Sequence, residues 1–310
     1  MSDVTIETAR PSVWRKMRGN TGALIGGTLL AAIILIALLA PLLAPHDPIA
    51  QDLSRRLLPP FWHDRAVPEH LLGTDHLGRD YLSRMIYGAR VSLGVGLGVI
   101  LVSGAIGITL GLIAGYFGGW IDMVISFAIT TRLSLPIVLV ALAAVALGGA
   151  SLTTLITVLG LLLWDRFAVV TRAAAQSLRH QEFIMGLRSI GASRMRILFL
   201  EILPNMRATI LVVVSLEVAN VILLEAALSF LGLGMPETQP SLGSLIKSGF
   251  DYIQSGSWWI TLIPGLVLVV LVLVINLLGD WLRDVMNPRL YKKRLQPFVV
   301  WWTRQKWFSN

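Results

Sequence analysis

Five long segments of this sequence carry few or no charged residues, and they constrain the fold more than any other feature. Four contain no Asp, Glu, Lys or Arg, and the fifth is interrupted only by Glu217 and Glu225. Each reaches or exceeds the roughly 20 residues that a helix needs to cross about 30 Å of hydrocarbon. The segments are 21–40, 91–121, 133–164, 252–279 and 208–236.

The longest segment, 133–164, contains the sequence GGAS at 148–151, which we interpret as a tight turn between two spans. Only 14% of the chain is charged, whereas globular domains contain about a quarter. We therefore predict an all-α polytopic membrane protein with six transmembrane helices. The predicted spans are about 21–44, 90–115, 121–147, 152–177, 204–232 and 259–281.

The distribution of basic residues predicts the orientation of these spans. Of the 26 Lys and Arg residues, 17 lie in three stretches: four in the N-terminal lead, six from Arg172 to Arg207, and seven from Arg283 to Lys306. The positive-inside rule then places both termini in the cytoplasm of a bacterial inner membrane. The net charge of +8 is explained in this way, so we expect no nucleic-acid partner. The chain has no cysteine, which excludes disulfides and thiol chemistry.

The organisation follows from the spans. We predict a cytoplasmic N-terminal segment (1–20), a first span with a periplasmic segment (21–87), a core of five spans (88–285) and a basic cytoplasmic tail (286–310). Residues 80–87 place four apolar side chains on one helical face, which predicts a short interfacial helix before span 2. Many glycines at spacings of three and four in span 2 predict close helix packing.

The most informative segment is QEFIMGLRSIGASRMRILFLEILPN at 181–205. Its apolar residues Phe183, Ile184, Leu187 and Ile190 fall on one face of a short helix. Gly191 suits a helix end that needs a positive φ, and Ser193 can cap a second helix. Pro204 predicts a bend at Leu203 before span 5. Arginines at 188, 194 and 196 would border the apolar face, a surface suited to a protein groove.

This segment resembles the "EAA" loop of ATP-binding-cassette (ABC) importer permeases, the cytoplasmic loop that seats in a cleft of the ATPase subunit. The chain keeps Gly191 and the final Leu203, Pro204 and Asn205 of that pattern. It departs from the pattern at 185–187, where Met-Gly-Leu replaces Glu-Ala-Ala and removes the acidic residue of the family.

Further stretches resemble the dipeptide/oligopeptide importer permeases, specifically the second (C-type) of their two unlike membrane subunits. They are LGTDHLGRDYLSRMIYGARVSL (72–93), AGYFGGWID (114–122), EAALSFLGLG (225–234), NLLGDWLRD (276–284) and NPRL (287–290). The resemblance implies a type I ABC-importer permease fold and import of peptides or related small solutes. It also implies a second homologous permease, two ATP-binding subunits and a periplasmic or lipid-anchored solute-binding protein as partners.

The resemblance also implies which residues couple the chain to the ATPase. The coupling loop spans 178–205. Its candidate residues are Glu182, Phe183, Ile184, Leu187, Arg188, Gly191, Ser193, Arg194, Leu203, Pro204 and Asn205.

Charged residues within the spans are candidates for the translocation pathway. Glu217 could line the pathway and meet a peptide ammonium group, or it could pack at an interface; both roles remain open. For Glu225, packing is favoured. Asp165 and Arg166 point about 100° apart on a helix, so we expect no ion pair between them. Each should either find a separate partner on another span or be exposed to the cytoplasm.

We expect no cofactor and no catalysis in this chain. Four histidines, His46, His63, His70 and His76, match no compact metal-ligand motif, so we expect solvated loop residues. There is no Gly-x-x-x-x-Gly-Lys-Ser/Thr phosphate loop, so ATP and magnesium would be bound by partner subunits.

Two other classes of function make different demands on the sequence. A stand-alone ion-coupled secondary transporter or channel would use the span acids as proton sites and would work without ATP. A membrane-embedded enzyme would need a catalytic set, which the sequence does not offer.

Overall fold

Helices make up the architecture of residues 20–286, the part of the chain that this computed structural model describes. Within this part there is no β-strand, only one isolated bridge between Thr74 and Asp80. The all-α prediction is confirmed. The predicted N-terminal segment and basic tail lie, except for their innermost residues, outside the described residues.

Ten main helices follow one another along residues 20–286. They are α1 (Thr21–Leu38), α2 (Tyr81–Phe117), α3 (Gly119–Leu133), α4 (Ile137–Gly148), α5 (Leu152–Leu162), α6 (Trp164–Leu178), α7 (Glu182–Ser189), α8 (Arg207–Phe230), α9 (Leu242–Phe250) and α10 (Trp259–Met286). Shorter helical pieces are Ala40–Leu43, Leu53–Arg55, Arg194–Arg196, the π-helix Ile197–Ile202 and Leu203–Asn205.

The second span starts earlier than the sequence predicts. The Asp80 side chain caps α2 by accepting a hydrogen bond of 2.8 Å from the Ser83 N–H, and the helix then continues without a break to Phe117. The predicted interfacial helix at 80–87 is therefore not a separate element, because its residues form the first turns of α2. No proline interrupts this stretch, and Tyr81 is fully buried, so its first turns belong to the packed bundle.

The predicted third span, 121–147, is two helices rather than one. The axes of α3 and α4 are bent by 84° at the connection between Leu133 and Ile137. Pro136 explains the break: it has no N–H to donate, and it biases the preceding residue against helical geometry. The pair can be one broken span or a re-entrant loop.

The other predicted spans coincide with helices, although α8 begins three residues later than predicted and α10 continues five residues further, to Met286. The turn after α4 has Gly149 at φ +81°, and Ser151 caps α5 through the Thr154 N–H at 3.1 Å. By length and apolarity, the described residues contain five membrane-spanning candidates, or six when the bent α3–α4 pair counts as one. This agrees with the predicted six-span architecture.

Helix α2 packs along α6 through a stripe of glycines. A Cβ atom on Gly107 would lie 2.6 Å from the Phe167 Cβ, and one on Gly115 would lie 2.5 Å from the Arg172 carbonyl oxygen. Inside a membrane the hydrophobic effect does not drive helices together, because lipid tails are as apolar as the side chains. Small residues stabilise helix pairs there by letting the two backbones approach closely. The packing role predicted for these glycines is confirmed.

Candidate functional site

The segment between α6 and α8 forms a helix, a glycine corner and a second helical stretch. Helix α7 ends at Ser189, and Gly191 follows the capping residue Ile190 with φ +78°. The Gly191 N–H donates to the Arg188 carbonyl (3.1 Å) and the Ala192 N–H to the Leu187 carbonyl (3.0 Å). These two bonds make a Schellman motif, in which a glycine adopts the left-handed conformation at no steric cost. The predicted corner at Gly191 has the expected geometry.

The second stretch begins where the sequence predicts but ends differently. Ser193 caps it, since its Oγ accepts a hydrogen bond of 3.3 Å from the Arg196 N–H. The predicted bend at Leu203 is wrong, because this residue is helical (φ −58°, ψ −46°). Pro204 lies in the first turn of Leu203–Asn205, where a missing N–H costs nothing. The helices instead break at Met206 (φ −93°, ψ −5°), while the Asn205 side chain donates 2.7 Å to the Glu201 carbonyl.

The predicted apolar stripe of α7 is divided between two environments. Ile184 is fully buried in the chain's own core, with Leu187 packed beside it. Phe183 is 44% exposed and Ile190 is 80% exposed. The expectation that all four residues form one docking face is therefore wrong: the inner pair anchors α7 to the bundle, and the outer pair points away from it. Glu182 is exposed in the first turn of α7, where an acid suits the helix dipole.

Two arginines of this segment stand over aromatic rings from the end of α2. The Arg188 guanidinium carbon lies 4.9 Å from the Tyr116 ring centre, and that of Arg194 lies 5.9 Å from Phe117. Both distances are within cation–π range. Together with Ala192 and Ile197, these residues line a cavity of about 360 Å³. The sequence predicts the role of the arginines but not their aromatic partners, which lie far away along the chain in the AGYFGGWID stretch (114–122).

The charged residues inside the spans form two cross-helix ion pairs. Arg166 Nη1 lies 2.8 Å from Glu217 Oε1, and Arg132 Nε lies 3.6 Å from Asp165 Oδ1. The prediction that Asp165 and Arg166 find separate partners is confirmed. Glu217 is buried and also accepts a bond of 3.4 Å from the Asn220 side chain.

Glu225 is held by serines rather than by a cation. Its Oε1 accepts a hydrogen bond of 2.6 Å from Ser229 Oγ, and its Oε2 accepts one of 3.1 Å from Ser92 Oγ. Ser92 Oγ in turn accepts from the Leu242 N–H at 3.2 Å. Because Glu225 is fully buried and ties α8 to α2 and α9, these contacts favour the packing role.

Two of the four loop histidines meet an acid at the start of α2. His70 Nδ1 lies 2.8 Å from Asp80 Oδ1, and His46 Nδ1 lies 3.6 Å from the same oxygen. His70 is buried, so the expectation of four solvated loop histidines is wrong for this residue. The three side chains offer ligand atoms within 4.8 Å of one another and could hold a divalent metal ion.

The remaining histidines stand apart from this group. His63 is exposed, and its Nδ1 accepts only a local bond from the Arg65 N–H at 3.4 Å. His76 stacks on Tyr252 with ring centres 5.5 Å apart, which links the two long loops at this end of the bundle. Burial lowers the pKa of His76 below its ordinary value, because the charged ring loses water there.

Comparison with known proteins identifies this arrangement. Residues 107–292 match the family described as the binding-protein-dependent transport system inner membrane component, and residues 12–60 match the N-terminal transmembrane domain of oligopeptide transport permease C. The dipeptide transport system permease protein DppC of Haemophilus influenzae is 38% identical, over 94% of this chain and 99% of that protein. The di/tripeptide transport system permease protein DppC of Pseudomonas aeruginosa is 39% identical, over 89% and 91%.

A solved structure shares the fold. A chain of the methionine ABC transporter MetNI, in an inward-facing conformation, superposes with a TM-score of 0.54 at 17% identity. The match covers 66% of this chain and 96% of that chain. This chain therefore shares the fold of a chain of that ABC transporter.

Proposed function

This chain belongs to the family of binding-protein-dependent transport system inner membrane components, and we propose that it is the C-type permease subunit of a peptide importer. The observation that carries the proposal is the identity of 38% with a dipeptide permease over nearly the full length of both chains. The substrates would be di- or oligopeptides or related small solutes. The chain would work with a second, unlike permease, two ATPase subunits and a solute-binding protein.

The orientation follows from charge. The loop between α6 and α8 contains four arginines, Arg179, Arg188, Arg194 and Arg196, and two more flank it, Arg172 in α6 and Arg207 at the start of α8. The N-terminal lead and the C-terminal tail are also basic. The positive-inside rule places this loop and both termini in the cytoplasm. The ATPases would then meet the chain at the loop, and the binding protein would meet the opposite end of the bundle in the periplasm.

The loop would couple the spans to the ATPases through its exposed outer face. Phe183 and Ile190 point away from the bundle, as does Met185, which is 49% exposed. Met185 stands where the family has its acidic residue, so docking would rest on apolar contacts with Arg188 and Arg194 beside them. Such an apolar helix face bordered by cations suits a groove in a partner protein.

Movement of the docked loop would reach the spans because α7 is anchored to them. Ile184 packs in one core cluster with Ala175 of α6 and with Met206, directly before α8. A push on α7 therefore acts on two spans at once. Alternating access would follow as a rigid-body switch between inward- and outward-facing states.

The chain itself would not be catalytic. ATP and magnesium would be bound and hydrolysed by the partner subunits. An ion-coupled transporter would use the acids of the spans as proton sites, whereas the contacts of Glu217 with Arg166 and of Glu225 with serines support structural roles for both acids.

The test is reconstitution of the complete importer. Co-expression with its genomic neighbours should give a complex whose ATPase activity is stimulated by the solute-binding protein. Proteoliposomes should take up a labelled di- or tripeptide only with ATP and the binding protein. Uptake by this chain alone, without ATP, would refute the proposal.

A further inference from the structure

The ion pair between Arg166 and Glu217 exposes its cation and buries its anion. Glu217 is only 5% exposed, whereas the Arg166 side chain is 51% exposed. The sequence alone suggested an acid in the pathway that could meet an ammonium group. The structure reverses the sign, because the charge presented at this surface is a guanidinium.

This cation lies deep in the bundle rather than at a membrane surface. Arg166 is near the middle of the span Leu152–Leu178, and Glu217 is near the middle of Arg207–Phe230. At about 1.5 Å per residue, both lie roughly 15–20 Å from either end of their spans. The 2.8 Å bond to Glu217 holds the guanidinium at this depth and prevents it from reaching the interface.

A half-exposed charge at this depth is costly against lipid, so it should face water or protein. Arg166 uses one N–H for Glu217, and its other donors make no hydrogen bond among the described residues. Asn220, whose side chain is bonded to Glu217, is exposed beside it and adds an amide group to the same surface. A guanidinium with free donors matches a carboxylate, which it can bind through two parallel hydrogen bonds.

We propose that Arg166 lines the translocation pathway and binds the free carboxylate of the passing peptide, with Glu217 holding the guanidinium in place. This inference rests on the proposed function, since it names the part of the substrate that this chain contacts. Asn220 would bond the neighbouring peptide group. Arg166 is thus the specificity-determining residue, and Glu217 is a positioning residue.

The first experiment tests whether Arg166 faces water. The chain contains no cysteine, so Arg166→Cys supplies a single thiol, in an importer whose partner subunits also lack cysteine. The reference variant is Leu273→Cys, which has a similar exposure of 53% near the middle of α10. A water-soluble thiosulfonate should modify the thiol at position 166 severalfold faster. Equal rates would mean that position 166 faces lipid, as position 273 does. Modification of the isolated chain but not of the complex would mean that position 166 lies at a subunit interface. Either result would overturn the proposal.

The same variant tests the charge. After modification, a cationic adduct at position 166 should restore peptide uptake, and an anionic adduct of similar size should not. Restoration by both adducts would mean that bulk rather than charge matters, and would overturn the proposal.

The second experiment compares the uptake of a peptide that has a free C-terminal carboxylate with the uptake of the same peptide amidated at its C-terminus. The pair is chosen so that the solute-binding protein binds both peptides with equal affinity. Arg166→Gln should lower uptake of the free acid by about tenfold or more, the value of a charge-assisted hydrogen bond, and should affect the amide much less. Arg166→Lys should restore part of the uptake. Equal losses for both peptides would overturn the inference. If the wild-type importer moves neither peptide with ATP, the proposed function fails instead.

Folding can be separated from function with a paired variant. Arg166→Gln leaves Glu217 buried without a cation, which can destabilise the chain. Arg166→Gln combined with Glu217→Gln removes both charges and should fold, yet it should show the same loss of discrimination between acid and amide. Full discrimination in a folded double variant would refute the role of Arg166.

Discussion

The Cβ position of Gly107 lies only 2.6 Å from the Phe167 Cβ, so α2 and α6 meet backbone to backbone inside the membrane. Gly111 and Gly115 continue this contact at intervals of four residues, which keeps them on one helical face. Helix α6 leads directly into the loop at 178–205. The glycine stripe therefore fixes the loop-bearing helix against the longest helix of the bundle.

Gly107→Val should disrupt this packing. The added side chain has no space between α2 and α6, and overpacking of this kind costs about 1–3 kcal/mol or more. We expect a lower melting temperature in detergent and a loss of monodisperse complex on size-exclusion chromatography. Gly94→Val is the matched control on the same helix, because nothing lies within 4 Å of its Cβ position. Equal behaviour of the two variants would contradict the packing role.

Gly191→Ala should weaken the corner of the coupling loop without creating any clash. Nothing lies within 4 Å of its Cβ position, so the cost comes only from the left-handed backbone, roughly 1–2 kcal/mol. We expect a reduced ATPase stimulation by the binding protein in a complex that still assembles in the membrane. Gly186→Ala, in the interior of α7 and equally open, should be neutral or slightly stabilising. If both variants keep full stimulation, the corner does not transmit the signal.

The sequence predicts the parts of this fold that depend on local physics. The length of the apolar runs defines the spans, and Gly191 with Ser193 defines a corner and a cap through backbone conformation alone. The glycine spacing of span 2 predicts close packing because it needs no knowledge of the partner helix. Each of these features depends on the residues of one segment and can be predicted without knowing what that segment contacts.

What the sequence does not predict depends on contacts between distant segments. Apolar periodicity cannot tell that Ile184 faces the bundle while Ile190 faces outward, since that depends on where α6 and Met206 lie. The partnership of Arg166 with Glu217 joins residues on two different spans. The kink at Pro136 is not predicted, because hydropathy and span length say nothing about the direction of the chain on either side of a break.

Ile190→Ser should impair ATPase binding, whereas Ile184→Ala should impair folding. Ile190 is 80% exposed and makes no core contact, so its loss should leave the melting temperature unchanged while the ATPase subunits dissociate more readily. Ile184 is fully buried, and truncation of a buried isoleucine costs about 2–5 kcal/mol. Co-purification of the ATPases and thermal unfolding measure the two effects separately. Normal ATPase retention in the Ile190 variant would place the docking surface elsewhere on the loop.

Glu225→Gln should preserve transport, and Glu225→Leu should not. The glutamine keeps one acceptor oxygen for a serine hydroxyl, and its amide group can donate to the other serine once that hydroxyl rotates. Leucine leaves the hydroxyls of Ser92 and Ser229 without this acceptor, at about 1–3 kcal/mol for each unsatisfied group, so less folded complex should be recovered. The readouts are the yield of the assembled importer and ATP-driven peptide uptake per complex. Loss of uptake in a well-assembled Glu225→Gln complex would mean that the carboxyl group takes part in transport itself, as an ion-coupled mechanism requires, and would contradict the structural role assigned to it.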